Sequence, residues 1–304
     1  MTSQTNHASS PRVSVLMTIY NAEPYLRAAI DSLIAQTFSD WELIAVENGS
    51  TDKSMLILKS YSDPRIRIFP FEANIGRTPA LRFAFDQARG DYIAVLDADD
   101  VSSQNRLAQQ AAFLDQHNDV ALVGSWAQHI DKHGKVFDVF EPPTNQKELQ
   151  NCLGWTNPII HSSAMYRRQL AHEVGGYPEN IVWAQDLGLI LALAQRAKIA
   201  MIANYLCQVR VLSAGMTRSI KYRALVANEA LLLFRQAADS LQLNAQARRL
   251  NRRAMAIAEI KLGIATLRSD SFWAGLKMVW HGFVTAPSAV WGNGPVRRFF
   301  GAKF

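Results

Sequence analysis

Tyr92-Ile93-Ala94-Val95-Leu96-Asp97-Ala98-Asp99-Asp100 sets three carboxylates directly behind an apolar run. The run Tyr92 to Leu96 reads as a buried strand. Acid at the exit of such a strand is costly to bury unless a cation or hydrogen bonds answer it. The pattern points to a divalent metal held by oxygen ligands, at the strand end where open α/β sheets bind their ligands. An isolated Asp-x-Asp reads first as a polar turn in which Asp99 or Asp100 caps the next helix. The rest of the chain reverses that order.

Working outward, the first hundred residues repeat one unit of apolar strand, polar turn and amphipathic helix. Strands are expected over Val13 to Ile19, Trp41 to Val46, Arg65 to Phe69 and Tyr92 to Leu96. The helix after the first strand takes Asn21 as its N-cap and carries an apolar stripe from Ala22 through Tyr25, Leu26, Ala29, Ile30, Leu33 and Ile34. A second helix runs from Thr51-Asp52 to about Tyr61, and a third from Arg77 to Ala88. This alternation predicts an α/β fold with a parallel sheet covered on both faces. Beyond Asp100 the pattern loosens. Helices are expected over Arg106 to His117 and Leu187 to Arg196, and strands over Val120 to Trp126, Ile159 to Tyr166 and within Ile199 to Val211. From about Lys221 the chain reads as helical, with Pro287 and Pro295 ending it.

The chain has 304 residues and an apolar share of 49%, enough for a sizeable core. Its net charge of +6 is unevenly spread: residues 1–204 hold 17 Lys/Arg against 22 Asp/Glu, and residues 205–304 hold 15 against 4. The basic part predicts a partner with an anionic surface. No nucleic-acid-binding signature accompanies it. Cys152 and Cys207 form neither a disulfide framework nor a zinc spacing, so a reducing, cytoplasmic setting is expected. The polar opening lacks the apolar core of a signal peptide and reads as a disordered leader over residues 1–11. No apolar stretch reaches the roughly 18 residues of a spanning helix.

The ends of the strands carry the chemistry. Thr18-Ile19-Tyr20-Asn21 offers an aromatic ring for base stacking and two hydrogen-bonding side chains. In Glu47-Asn48-Gly49-Ser50-Thr51-Asp52, Glu47 or Asn48 can accept from a ring N–H such as that of uracil, and Gly49 permits a tight turn. Asn74-Ile75-Gly76-Arg77 leads into a helix N-terminus, which attracts phosphate, and Arg77 adds a full charge. Each segment is also compatible with an ordinary strand–turn–helix junction.

In order and spacing these segments, ending in Leu96-Asp97-Ala98-Asp99-Asp100, resemble the inverting glycosyltransferases of family 2, which have the GT-A nucleotide-sugar fold. Asn157-Pro158-Ile159-Ile160-His161-Ser162-Ser163, Gly175-Gly176-Tyr177 and Ala184-Gln185-Asp186 extend the likeness to about residue 215. The resemblance implies a GT-A domain over 12–215 and a basic helical region over 216–304. It implies that Thr18 and Tyr20 contact the nucleoside and that Glu47, where relatives usually carry Asp, accepts from the base, with Asn48 beside it. Asp99 would ligate Mg²⁺ or Mn²⁺, and Asp97 would lie near the ribose or the metal's waters. Asp186 falls at the place of the general base; as a bare feature of the sequence it could equally cap the helix that follows. Leu187-Gly188 stands where relatives often continue with an aromatic and a second Asp.

The implied chemistry is transfer of a sugar from a nucleotide diphosphate, read as a UDP-sugar, to a hydroxyl of a glycan or lipid-linked acceptor. A cation neutralises the leaving diphosphate. A carboxylate takes the hydroxyl proton. Two other classes stay open at this point: a sugar nucleotidyltransferase and a binding module that has lost catalysis. The first calls for a Gly-rich basic loop after strand one, where Asn21-Ala22-Glu23-Pro24 stands. His161 can face the sugar or acceptor, or serve as a hydrogen-bonded structural histidine. His129 and His133 read as residues of a solvated turn. In the basic region Phe272, Trp273, Leu276, Val279, Trp280, Phe283 and Val284 form one apolar stripe, with Lys277 and His281 at its edge. Arg248, Arg249, Arg252, Arg253, Arg297, Arg298 and Lys303 add positive charge. The stripe either packs on the protein or lies in the interface of an anionic membrane.

Overall fold

The computed structural model describes residues 10–212, 223–267 and 272–286. Most of the leader, Pro287, Pro295, Arg297, Arg298 and Lys303 lie outside these residues. The chain forms β1 (Val13–Ile19), α1 (Leu26–Ile34), β2 (Trp41–Asn48), α2 (Ser54–Lys59), β3 (Ile66–Phe71), α3 (Arg77–Gln87), β4 (Tyr92–Val95), β5 (Val101–Ser102) and α4 (Arg106–Gln116). It continues through β6 (Val120–Ile130), β7 (Val136–Phe140), α5 (Gln146–Cys152), β8 (Met165–Arg167), α6 (Arg168–Glu173), α7 (Gln185–Ala194) and β9 (Lys198–Arg210). Three helices follow: α8 (Arg223–Ser240), α9 (Ala245–Leu267) and α10 (Phe272–Thr285).

The sheet runs β3-β2-β1-β4-β8-β6-β9-β5, with β7 paired to β6. The first four strands are parallel, as expected. β8 is antiparallel to both β4 and β6, and β6 and β9 pair in parallel. Chain order reverses between β1 and β4, which makes that point the crevice where an open sheet receives a ligand. Register places Ile19 opposite Glu47 and Leu16 opposite Val95, so Thr18, Tyr20, Glu47, Asn48 and Asp97 leave the sheet along one edge.

The period of two along β1 divides the core. Val13, Val15, Met17 and Ile19 pack with α1 and α4 on one face, while Leu16 packs with α3 on the other. The α3 face also buries Leu187, Leu189, Ile190 and Leu191 of α7 and, from the helical region, Leu233, Ala237, Leu241, Leu243 and Ala247. The change of architecture near residue 215 is therefore not a break in the core.

Two local expectations are corrected. Asn21 does not cap α1: it adopts φ 51°, and its Oδ1 accepts from Thr51 N at 2.8 Å, tying the β1 exit to the β2 exit. The α1 helix starts four residues later, after Tyr25. Ile159 to Tyr166 is not one strand. His161–Ser163 forms a 3₁₀ turn, closed by Ser163 N and Oγ donating to Ile160 O, and only Met165–Arg167 pairs in the sheet. Pro158 and two serines interrupt an apolar run whose composition alone suits a strand. A third expectation holds only for His133, which sits in the turn before β7; His129 is not in that turn but inside β6, paired with Asp138, whose carboxylate is 3.4 Å from its Nδ1.

Candidate active site

The acidic tip is a turn closed by Asp100 N donating to Asp97 O. Beneath it, Asp97 N donates to Ser162 Oγ at 3.0 Å, so the 3₁₀ turn supports the end of β4. Arg77, the first residue of α3, lays Nη2 2.8 Å from both Asp97 carboxylate oxygens. Burial pushes the Asp97 carboxyl up, but the Arg77 charge outweighs it and holds the group below the usual carboxylate range. Asp99 lacks such a partner. Burial and the Asp97 charge push it up to about 6, against the pull of Arg77 and Arg210. Burial and the charges of Asp97 and Asp99 push the enclosed Asp100 well above the usual range.

Two further arginines, neither singled out from the sequence, frame the tip. Arg210 at the end of β9 donates N–H to Asp100 Oδ1 at 2.8 Å and Nε to Asp99 O at 2.9 Å, with its guanidinium over the Tyr25 ring. Arg106 is fully buried and spends Nη2 on Val95 O and Ala164 O, where β4 and β8 part. Distant residues become neighbours through the β5–β9 pairing, which no local pattern encodes.

His161 lies behind Arg77. Its Nδ1 is 3.3 Å from Arg77 Nη2 and its Nε2 is 2.9 Å from Tyr177 Oη, which is 3.1 Å from Tyr166 Oη. Arginine only donates, so Nδ1 accepts and Nε2 carries the proton toward Tyr177. Burial pushes the imidazole down against the pull of Asp97 and Asp186, which favours this neutral form. Both ring nitrogens are thus engaged inside the protein.

Asp186 occupies the first turn of α7 and accepts from Asn157 Nδ2 at 2.8 Å. It does not cap the helix; Ala184 holds the cap position. In the amide orientation that matches donors with acceptors, Gln185 accepts from Arg77 Nε at 3.1 Å and donates to Val182 O at 3.0 Å. One hydrogen-bonded chain, Asp97–Arg77–Gln185, therefore joins the acidic tip to the residue before Asp186.

The β2 exit is also built from its own side chains. Glu47 is buried and its Oε1 accepts from Ser50 N at 2.7 Å, so the longer side chain folds back on the Gly49 turn. A Cβ on Gly49 would meet the Ala73 carbonyl carbon at 2.5 Å, and its φ is 71°. Asn48 engages both ends of its amide: Oδ1 accepts from Ile75 N at 3.0 Å, and Nδ2 donates to Asn74 Oδ1 and Gly76 O. It thereby fixes the loop that launches Arg77. Tyr20 is 49% exposed and Thr18 half-buried at the open edge.

The donor set suits a hard cation. Its side-chain atoms are carboxylate oxygens, and Asp99 and Asp100 are short of positive charge. Among the described residues no group of three or more His, Cys, Asp or Glu side chains is arranged to hold a metal alone. In general one or two carboxylates can bind Mg²⁺ when substrate phosphates and water supply the remaining ligands.

Residues 14–175 match the family model described as Glycosyl transferase family 2. The chain is 32% identical over 143 residues to the UDP-Glc:alpha-D-GlcNAc-diphosphoundecaprenol beta-1,3-glucosyltransferase WfgD of Escherichia coli, covering 46% of this chain and 56% of that protein. Matches to two other curated relatives cover 71% and 21% of their lengths. Among solved structures, S. aureus TarS 1–349 in complex with UDP-GlcNAc superposes with a TM-score of 0.64 at 18% identity, covering 92% of each chain. The mannosyltransferase PcManGT of Pyrobaculum calidifontis, in complex with GDP-Man and Mn²⁺, gives 0.61 at 20% identity, covering 93% of this chain and 84% of that one. The acidic strand tip at the switch point, the α/β fold shared with both structures and the family match over more than half the chain lead to one assignment: this protein is a member of glycosyltransferase family 2.

Proposed function

We propose that the enzyme moves a sugar from a UDP-sugar to a hydroxyl of a glycan acceptor with inversion, aided by Mn²⁺ or Mg²⁺, in the assembly of surface polysaccharide or lipid-linked oligosaccharide. The observation that carries this reading is the Asp97–Arg77–Gln185 chain, which ties the acidic tip to the start of the helix bearing Asp186. WfgD's name specifies a UDP-sugar and a lipid-linked acceptor, and TarS binds UDP-GlcNAc, which favours uridine; PcManGT was solved with Mn²⁺.

On this reading Tyr20 and Thr18 line the nucleoside position, and the second oxygen of Glu47 accepts from the base. Asp99, with Asp97 beside it, would hold the cation, which when bound supplies Lewis-acid neutralisation of the diphosphate. Arg77 keeps Asp97 ionised and brings positive charge to the leaving-group side. Asp186, held by Asn157, takes the proton of the attacking hydroxyl. Neutral His161 buttresses Arg77 from behind. Assayed across a panel of UDP-sugars with a glycan acceptor, UDP release should require a divalent ion, vanish with EDTA and return with Mn²⁺. No release from any donor under either condition would leave a binding module instead.

The helical region adds a place of work. Among the described residues no helix is long and apolar enough to cross a membrane. α10 packs on α9 through glycines: a Cβ on Gly263 would meet Gly275 O at 2.8 Å, and one on Gly282 would meet Ala256 O at 2.7 Å. Val279 faces this seam, and His281 pairs with Glu259 at 2.7 Å. The apolar residues left outward are Trp273, Leu276, Trp280 and Val284, the tryptophans 79% and 67% exposed. Lys277 is exposed on the same helix, and Arg248, Arg249 and Arg252 are exposed on α9; tryptophans beside basic residues suit the interface of an anionic leaflet, read as the cytoplasmic one. Co-sedimentation should show binding to phosphatidylglycerol-containing vesicles and little to phosphatidylcholine alone. The double variant Trp273→Ser, Trp280→Ser should lose at least tenfold in affinity; equal binding would exclude this face.

A further inference from the structure

We infer that Glu229, on α8 and outside the part of the chain that carries the family's motifs, is a positioning residue for Asp186. Its side chain reaches back to the loop preceding α7. Oε1 accepts from Val182 N at 2.8 Å, and Oε2 accepts from Trp183 N at 2.8 Å and from Ala184 N at 3.0 Å. Three consecutive backbone donors converge on one carboxylate that is itself buried. Asp186 follows two residues after the last of them.

The opposite side of this loop is held as well. Thr78 Oγ1 donates to Ile181 O at 2.9 Å, and Gln185 donates to Val182 O. Ile181 and Val182 are therefore held through their carbonyls by Thr78 of α3 and Gln185 of α7, and Val182 to Ala184 through their amides by Glu229 of α8. The start of α7 has no cap from its own sequence, because Ala184 offers no side-chain acceptor. Glu229 supplies one from 45 residues downstream. Below it, Leu233 packs toward Gly188 and joins the cluster holding Leu187 and Leu189, so α8 reaches its post through the core. Charge-assisted bonds of this kind are among the stronger ones a protein makes. A catalytic group displaced by about 1 Å loses up to 10²-fold in rate. The basic helical region thus completes the active site as well as bearing the apolar face of α10.

The inference rests on the proposal that Asp186 is the general base, and a double-mutant cycle in the full-length protein separates the two. Glu229→Gln keeps the shape of the side chain but replaces one acceptor oxygen with a donor; Glu229→Ala removes both. Turnover is read as UDP release with Mn²⁺, and nucleotide binding is read with UDP plus Mn²⁺. The expected result is a tenfold or greater fall in kcat for Glu229→Gln, with the UDP affinity within twofold of wild type, and no further fall when the substitution is added to Asp186→Asn. A Glu229→Gln kcat equal to wild type, an equal loss on the Asp186→Asn background, or a parallel loss of UDP affinity would each overturn the positioning role. Wild-type turnover by Asp186→Asn alone would instead overturn the base assignment. If Glu229→Ala does not fold, Glu229→Gln carries the test.

Discussion

Asp186→Asn should bind UDP and Mn²⁺ as tightly as the wild type yet transfer sugar about 10²–10⁴ times more slowly, the range that a positioned general base contributes. The substitution is mild where the fold is concerned. Asn157 Nδ2 donates to Asp186 Oδ2, and the amide oxygen of an asparagine can accept the same bond. Ala184 holds the cap position and its N–H goes to Glu229, so no cap is lost. What disappears is the ability to accept a proton at neutral pH. The loss should therefore fall on kcat and spare nucleotide binding, a split that a folding defect does not give. Single-turnover rates with saturating donor, compared with UDP affinity by calorimetry, measure both sides. A variant that turns over at the wild-type rate would remove Asp186 from the chemistry and leave the acceptor proton to another group.

The parallel half of the fold was legible because burial on both faces writes itself as continuous apolar runs, and Val13 to Ile19 falls on β1 without adjustment. The positions at the strand exits were legible for a related reason. Each exit alone passes for an ordinary polar junction, and it is the succession of Glu47, Asn48, Asp97 and Asp99 at the ends of neighbouring parallel strands that marks the edge. What they bond to was not legible. Asn48, expected beside the nucleoside, also engages residues 74–76 through its amide. Arg77, expected to meet phosphate at a helix start, also grips Asp97. Arg210 and Glu229 reach the site only after long-range strand pairing and helix packing, and neither carries a local pattern that marks it. The stripe on α10 is divided in the structure. Periodicity puts Val279 in one stripe with Trp273 and Trp280, while the glycines at 263 and 282 draw the Val279 side of the helix onto α9. A hydrophobic period reports that a face exists, and only close approach of backbones decides which part of it is covered.

Asp99 yields a prediction of comparable size, and it separates metal binding from stability. Burial first, and then the Asp97 charge, raise its carboxyl to about 6, above the ordinary value near 3.8. A group raised in the folded state stabilises fully below its unfolded pKa and loses that contribution as pH rises through the folded one. Without divalent ions, Asp99→Asn should therefore match the wild type in Tm near pH 3.8, pull ahead between about pH 4 and pH 6, and hold a constant lead above that. Adding Mn²⁺ and UDP should reverse the order at pH 7.5. The wild type should gain about 2.7 kcal/mol at a ligand concentration of 100 Kd. Asp99→Asn should gain little from Mn²⁺, since the amide offers no charge to the ion, and UDP release should fall at least a hundredfold. Thermal shift in EDTA and with Mn²⁺ plus UDP, at pH values from 4 to 8, reads the two stability effects, and a UDP-release assay reads the turnover. If Asp99→Asn is less stable than the wild type at pH 8 in EDTA, the crowded-charge account of the tip fails. If it keeps the full Mn²⁺-dependent gain, Asp99 is not the ligand, and the cation is held by other groups at the same strand end.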